Sequence, residues 1–208
     1  ARRKQYVLSL FRGGIVEKVS FYSEGNKLAG YIRIPKAGHK VPGIVVCHGY
    51  SGWIEGYMHD IAEAISDGGY ATLIFSSRGL GESEGIKGRM IPMEQVADIR
   101  NAITYLQTRK EIDPDKLGLY GTSFGGANVS YVAGVDSRAK CTVSAAGIGD
   151  GGRWLKSIRR RWEWLEFVKR VEEDRVKRVI TGKSQYVDPH EILLPDPGTS
   201  ESMKILWP

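Results

Sequence analysis

The chain has 208 residues, of which 41% are hydrophobic, and a formal net charge of +6. This length is enough for one full-sized core with a modest insertion, which excludes two separate large domains. The sequence contains no apolar run near the roughly 20 residues that a membrane-spanning helix requires, so we expect no membrane partner.

The excess positive charge is concentrated in one segment. Residues 153–178 contain ten Lys and Arg against five Asp and Glu, and the rest of the chain is close to balanced. The stretch KSIRRRWEWLEFVKR could bind nucleic acid, with Arg contacting phosphates and Trp stacking on bases. Its acidic residues and its apolar stripe favour instead a helix that docks on a core, so we expect no nucleic-acid partner.

The two cysteines, Cys47 and Cys141, each lie in a short apolar run. We therefore expect two buried thiols and no disulfide. At the start of the chain, ARRKQYVLSLFRGG places positive charge before an apolar patch that is too short and too interrupted for a secretory signal. These features favour a reducing, cytoplasmic location.

The first part of the chain predicts a hairpin followed by a buried strand. Apolar and polar residues alternate over 15–22 and again over 28–35, with turn residues between them, which is typical of an antiparallel hairpin. GIVVCHG, at 43–49, is a continuous apolar run and predicts a central strand buried on both faces. A helical pattern over 57–66 and a strand pattern over 70–76 follow.

The pattern then repeats. Residues 92–109 predict an amphipathic helix, 116–120 a strand, 124–135 a helix and 140–147 another strand. This alternation predicts an α/β fold with a mostly parallel sheet behind the N-terminal antiparallel hairpin. Ligand sites in such sheets lie at the carboxyl ends of the strands, where three suggestive loops fall: 48–52, 77–85 and 121–125.

The composition changes after Gly147. Apolar residues recur at helical spacing from Trp154 to Val168, which predicts one amphipathic helix with an interruption before Glu172. From 183 onward neither a helical nor a strand pattern persists. The predicted domains are therefore an α/β core at 1–147 and a helical insertion with an irregular tail at 148–208.

The sequence GTSFG carries the main functional prediction. Ser123 stands between a predicted strand and a predicted helix in a G-x-S-x-G pattern, which is the context of a nucleophile elbow. The glycines on either side make room for a strained turn that pushes the hydroxyl into a cleft. The backbone N–H of Phe124, at a helix N-terminus, could stabilise an oxyanion. The alternative is a serine that merely caps the helix.

A second oxyanion donor is predicted in HGYSG, at the end of the central strand. A loop at this place can direct the backbone N–H of Tyr50 toward the same point as that of Phe124, which would complete an oxyanion hole. His48 precedes the serine and belongs to the strand end. We therefore expect it to hold the loop by a hydrogen bond rather than to act as the base.

HGYSG, SRGLGESEG and GTSFGG, in this order, resemble the α/β-hydrolase superfamily, specifically its esterase and Xaa-Pro-dipeptidyl-peptidase-like branch. The resemblance covers about residues 15–147. It implies a serine hydrolase whose cap insertion begins near Gly151 and roofs an acyl pocket. The family pattern has aspartate where Ser76 stands in this chain, and we expect Arg78 to support the loop beside the elbow.

The family order of catalytic groups is serine, acid, histidine, and this chain departs from it. The only histidine after Ser123 is His190, with Asp188 two residues before it, and no further strand pattern follows Gly147. We expect Asp188 and His190 to form a surface turn, since triad members ordinarily follow core strands. A metal site there, joined by Glu191, is weaker still. The chain thus resembles a C-terminally truncated hydrolase that lacks its closing strands.

The expected function is carboxylesterase activity on a small-molecule ester, without cofactor or metal. Trp53, Trp154, Trp162 and Trp164 could line an apolar pocket. Three alternatives stay open: a peptidase or amidase with the same machinery, an inactive fragment that needs acid and histidine from a missing segment or a partner chain, and a basic nucleic-acid-binding module. The partner could be a second copy or a complementing chain.

Overall fold

The computed structural model describes residues 14–50, 52, 54 and 57–194. Contacts divide the chain into two compact units, residues 1–147 and 148–208. The first unit contains the strands β1 Gly14–Ser23, β2 Asn26–Pro35, β3 Val41–Cys47, β4 Ala71–Phe75, β5 Ile112–Thr122 and β6 Ala139–Ala145, and the helices α1 Tyr57–Asp67, α2 Pro92–Gln107 and α3 Phe124–Val135. The second contains α4 Gly151–Ser157, α5 Arg161–Thr181 and α6 Pro189–Ile192.

The six strands form one sheet in the order β1-β2-β4-β3-β5-β6. The first two strands pair antiparallel, and β2 pairs antiparallel with β4. The remaining neighbours, β4 with β3, β3 with β5 and β5 with β6, are all parallel. The predicted α/β class, with an N-terminal antiparallel hairpin and a mostly parallel remainder, is confirmed.

Helices cover both faces of the sheet. On one face Val45 of β3 packs in a large core that includes residues of α2 and α3. On the other face its neighbours Ile44 and Val46 pack against Met58 and Ala62 of α1. Because successive side chains of a strand point to opposite faces, this division explains the unbroken apolar run of β3.

Arg78, which follows β4, connects the hairpin to α2. Its Nε and Nη2 donate to Oδ1 of Asp98 at 2.9 and 2.7 Å, and its backbone N–H donates to Oδ2 at 2.9 Å. Nη1 donates to Glu24 in the hairpin turn at 2.8 Å. Asp98 is fully buried. Arg78 therefore supports this loop through an acid on α2, whereas the family pattern places its acid at the position of Ser76.

The cysteine prediction is correct in one part and wrong in another. Both thiols are free, and Cys47 is buried in β3, where burial raises its pKa. Cys141 is exposed, contrary to our expectation. It lies on β6, which ends the sheet and pairs only with β5 among the described strands, so its apolar run is not covered.

The stretch predicted as one helix from Trp154 onward forms two helices, α4 and α5, so the prediction of one helix with a break before Glu172 is wrong. The chain leaves helical geometry after α4, and Arg160 is the N-cap of α5, with its backbone N–H donating to the Glu163 carboxylate at 2.7 Å. This capping contact starts a new helix. The helix then runs uninterrupted to Gly182, whose φ of 70° ends it in the left-handed region.

Candidate active site

Ser123 occupies the sharp turn between β5 and α3. Its backbone adopts φ 55° and ψ −117°, a combination that is costly for a residue with a side chain. The Ser123 N–H donates to the carbonyl of Ala145 at 2.9 Å, and the Ser123 carbonyl accepts from the N–H of Ala127 at 3.2 Å. The side chain makes no capping hydrogen bond. Helix capping therefore does not account for a serine at this position.

The neighbouring glycines are required by close backbone contacts. A Cβ on Gly121 would lie 2.3 Å from the carbonyl oxygen of Gly125. A Cβ on Gly125 would lie 2.3 Å from the carbonyl oxygen of His48, at the end of β3. No side chain fits at such distances without a backbone shift. The two glycines of the G-x-S-x-G pattern therefore allow the first turn of α3 to contact β3 and β5.

The structure brings the loop after β3 beside Ser123. A Cβ on Gly49 would lie 3.5 Å from the Ser123 Cβ and 3.8 Å from the Tyr57 hydroxyl oxygen. The rings of Tyr50 and Phe124 meet edge to face, with centroids 6.3 Å apart. The residues that the sequence assigned to a nucleophile and two oxyanion donors are therefore neighbours.

Tyr57 is a polar group near Ser123 that sequence reasoning missed. The sequence places Tyr57 only at the start of a predicted helix, because the pattern over residues 57–66 contains no motif that singles it out. Burial is the main reason that the pKa of Tyr57 is raised. The phenol therefore stays protonated at neutral pH and can donate a hydrogen bond.

Both ring nitrogens of His48 make hydrogen bonds to residues other than Ser123. Nδ1 lies 2.7 Å from the Gly49 carbonyl oxygen, which can only accept, so Nδ1 carries the proton. Nε2 then accepts from the Ser77 N–H at 3.2 Å and lies 3.1 Å from the Ser77 hydroxyl. Burial lowers the pKa of His48 and keeps the ring neutral. This geometry favours the expected role of His48 in holding the loop.

Asp188 and His190 form a local turn in the second unit. Asp188 is the N-cap of α6, and its Oδ1 accepts from the His190 backbone N–H at 2.8 Å and contacts Nδ1 at 2.8 Å. Glu191 accepts from the Asp188 N–H at 3.2 Å. This capping box matches the predicted surface turn. Across the described ranges, no three His, Cys, Asp or Glu side chains are grouped to hold a metal ion.

The tryptophans proposed for an apolar pocket have different surroundings. Trp53 lies outside the described residues. Trp154 is on α4, and Trp164 packs on α5 against Phe167 with ring centroids 6.0 Å apart. Trp162 is 60% exposed. The lining of a substrate pocket by these residues stays a prediction.

Several known proteins have sequences similar to this chain. An uncharacterised 31.7 kDa protein in the traX-finO intergenic region of Escherichia coli is 32% identical over 176 residues, which are 85% of this chain and 62% of that protein. Thiohydrolase apmlB of Arthrinium phaeospermum is 32% identical over 133 residues, 63% of this chain and 43% of that protein. The chain therefore spans less than two thirds of the length of these relatives.

Solved structures share the fold at lower identity. Hypothetical protein PA2218 from Pseudomonas aeruginosa matches with a TM-score of 0.74 at 20% identity, over 86% of this chain and 58% of that chain. Acetyl xylan esterase 1 from Thermoanaerobacterium sp. JW/SL YS485 matches with a TM-score of 0.59 at 16% identity, over 78% of this chain and 59% of that chain.

Among the described residues, none of the helices has the length and apolar character that a membrane span requires.

A sequence model described as the alpha/beta hydrolase fold matches residues 42–170, which include most of β3, the turn at Ser123 and the start of the helical unit. With this match and the sheet order above, the chain belongs to the alpha/beta hydrolase family.

Proposed function

We propose that the protein is a serine hydrolase that cleaves carboxylic esters of small molecules through an acyl-enzyme on Ser123. The observation that carries this proposal is the backbone of Ser123, with φ 55° and ψ −117° at a strand-to-helix turn. Strain of this kind is retained where it serves function. Here it holds a hydroxyl that no capping contact uses, next to the loop that contains Tyr50.

The reaction has two steps at one carbonyl carbon. The Ser123 oxygen attacks the carbon as its proton passes to a base, and the resulting oxyanion accepts hydrogen bonds from the N–H groups of Tyr50 and Phe124. The bond from carbon to the leaving oxygen then breaks, and the alcohol departs with a proton. Water attacks the acyl-enzyme in the same way, releasing the carboxylic acid and restoring the serine.

The base and its orienting carboxylate are the parts of this mechanism that the described residues do not supply in the first unit. His48 is unsuitable because its Nδ1 is bound to Gly49 and its Nε2 to Ser77. We propose that both groups come from elsewhere in the protein or from a partner chain. In the same proposal, the helical unit is the cap over the acyl pocket.

A thioester is the second candidate substrate, favoured by the 32% identity to a thiohydrolase. A thiol has a pKa near 8.5, so a thiolate can leave with little help from a general acid. An alcohol has a much higher pKa and needs a proton as it leaves. Thioester cleavage therefore depends less on a general acid, which the described residues of the first unit do not supply. Amide cleavage would depend on a general acid most.

The test is labelling with a fluorophosphonate, which forms a covalent bond to an activated serine as fluoride leaves. We expect an adduct on Ser123 that Ser123→Ala abolishes. Ser130→Ala is the matched control, because Ser130 lies on α3, the helix that follows Ser123, and its hydroxyl donates to the carbonyl of Gly126. Labelling should accelerate when imidazole is added, since it can replace an absent base.

The outcome that contradicts the proposal is an unlabelled Ser123 with and without imidazole in a protein whose fold is intact by circular dichroism. The substrate class is then decided by comparing kcat/KM for an oxygen ester and the thioester of the same acyl group. A much higher value for the thioester would favour the second candidate.

A further inference from the structure

One face of α5 carries an exposed apolar stripe. Its members lie at alternating spacings of three and four residues along the 21-residue helix. Such spacing is the heptad pattern of a helix that packs along another helix. The two members in the middle, Lys169 and Glu172, are charged. The other four are apolar and have large exposed fractions: Trp162 at 60%, Leu165 at 60%, Val176 at 58% and Val179 at 81%.

The helical unit packs through a different face of the same helix. Phe167 and Val171 border a cleft whose other wall contains Val187 and Ile192. Arg159 lies over the Phe167 ring at 4.2 Å and donates to the Ile192 carbonyl at 2.7 Å. These contacts fasten the C-terminal segment to α5. The exposure of its apolar members shows that the described residues of this unit leave the stripe largely uncovered.

The stripe is complementary to itself when one copy is reversed. Three pairs of its positions are equidistant from a point between residues 170 and 171. These pairs are Trp162 with Val179, Leu165 with Val176, and Lys169 with Glu172. The stripe consists of the a and d positions of the heptad pattern. In an antiparallel helix pair, each a position of one helix faces a d position of the other. Apolar residues therefore face apolar residues, and a lysine faces a glutamate.

We propose that α5 binds a second copy of this chain in an antiparallel helix pair, with a two-fold axis between residues 170 and 171. This is an isologous interface, in which the same surface of both copies is buried. It contains two equivalent contacts between Lys169 of one copy and Glu172 of the other. Four apolar pairs, two at each end, exclude water around this charged centre.

The charged centre fixes the orientation of the two helices. In a parallel pair, positions of the same type face each other, so Lys169 would meet Lys169 and Glu172 would meet Glu172. Like charges at such contacts are unfavourable and act against that arrangement. Lys169 also lies 3.8 Å from Glu173 of its own helix, an exposed pair that leaves the ammonium able to contact Glu172 of the second copy.

The experiment is sedimentation equilibrium of the whole protein and of charge variants. We expect a dimer for the unmodified chain. Lys169→Glu places two carboxylates together at both central contacts and should raise the dissociation constant by roughly tenfold or more. Glu172→Lys should do the same with two ammonium groups. The double variant Lys169→Glu with Glu172→Lys restores opposite charges and should recover most of the dimer.

Lys177→Glu is the matched control, because it makes the same charge change on α5 at an exposed position outside the stripe. It should leave the dissociation constant unchanged. A monomer at all concentrations overturns the proposal. The proposal is also overturned if the single variants do not weaken the dimer, or if the double variant dimerises no better than either single variant. A different occupant of the stripe would have no reason to respond to the exchange of charges between residues 169 and 172. These readouts do not depend on Ser123 or on esterase activity.

Discussion

The conformation of Ser123 is maintained by its neighbours. A backbone in such a region costs about 1–3 kcal/mol, and the surrounding structure must supply this energy. Two backbone hydrogen bonds, to Ala145 and from Ala127, fix the turn on either side. Gly125 lets the first turn of α3 approach the carbonyl of His48. The absence of a side chain at Gly125 therefore helps to maintain the turn at Ser123.

Gly125→Ala should therefore destabilise the protein and displace Ser123. Its Cβ would lie 2.3 Å from a backbone oxygen, and an overpacked site of this kind typically costs about 1–3 kcal/mol. We expect a lower midpoint of urea unfolding, measured by circular dichroism, and loss of fluorophosphonate labelling at Ser123.

Gly134→Ala is the control for this change on the same helix. A Cβ on Gly134 would meet nothing within 4 Å, so alanine should stabilise α3 by up to about 1 kcal/mol and leave labelling intact. Equal effects of the two substitutions would show that close approach at Gly125 does not support the turn.

At this scale the sequence predicted the motif residues but not their supports. Ser123, Tyr50 and Phe124 were identified because G-x-S-x-G and HGYSG are local patterns. The partner of Arg78 is Asp98, and that of His48 is Ser77, at separations of 20 and 29 residues. Such pairs depend on how the helices and loops pack, which no local pattern contains.

At the scale of elements, Asp136 joins the end of α3 to α2. Its carboxylate accepts from Nη2 and Nε of Arg138 at 2.7 and 2.8 Å and from Nε of Arg100, on α2, at 3.1 Å. Arg138 in turn donates to Thr104 and Gln107 of α2. Asp136 is buried, so this charge contributes most while it remains ionised and paired.

The hydrogen bonds from Arg138 hold the pKa of Asp136 well below its ordinary value of 3.8. A lowered carboxyl pKa adds stability that is complete above the ordinary value and is lost as the pH falls toward the folded value. Asp136→Asn should therefore cost about 1.5–3 kcal/mol at pH 7, a loss that shrinks below about pH 4. Urea unfolding of both proteins across this range measures the difference. A loss that stays constant down to pH 2 would refute the ionic origin.

Periodicity predicted most elements of the first unit but not the division between α4 and α5. The buried residues of α2, including Val96, Ile99, Ile103 and Leu106, match the helical spacing seen in the sequence. The break before α5 depends instead on Arg160, which is not a typical N-cap residue. The Glu163 side chain accepts the N–H there, a contact that hydrophobic periodicity does not reveal.

At the scale of the whole molecule, the two ends of the sheet differ. The antiparallel hairpin forms one end, and β6 forms the other. Over the described ranges β6 pairs only with β5, so a row of its backbone groups has no strand beside it. The chain spans 62% of the length of its Escherichia coli relative. An open parallel edge with exposed apolar residues is prone to pair with other chains.

Val143→Lys should reduce aggregation without loss of stability. Val143 is 53% exposed on β6, and a lysine on an edge strand opposes pairing with another edge. We expect slower growth of light scattering at high protein concentration, with the free energy of unfolding changed by no more than about 0.5 kcal/mol. Ile86→Lys is the control, because it makes a similar change at a loop residue that is 57% exposed. If both variants slow aggregation equally, net charge and not the edge of β6 is responsible.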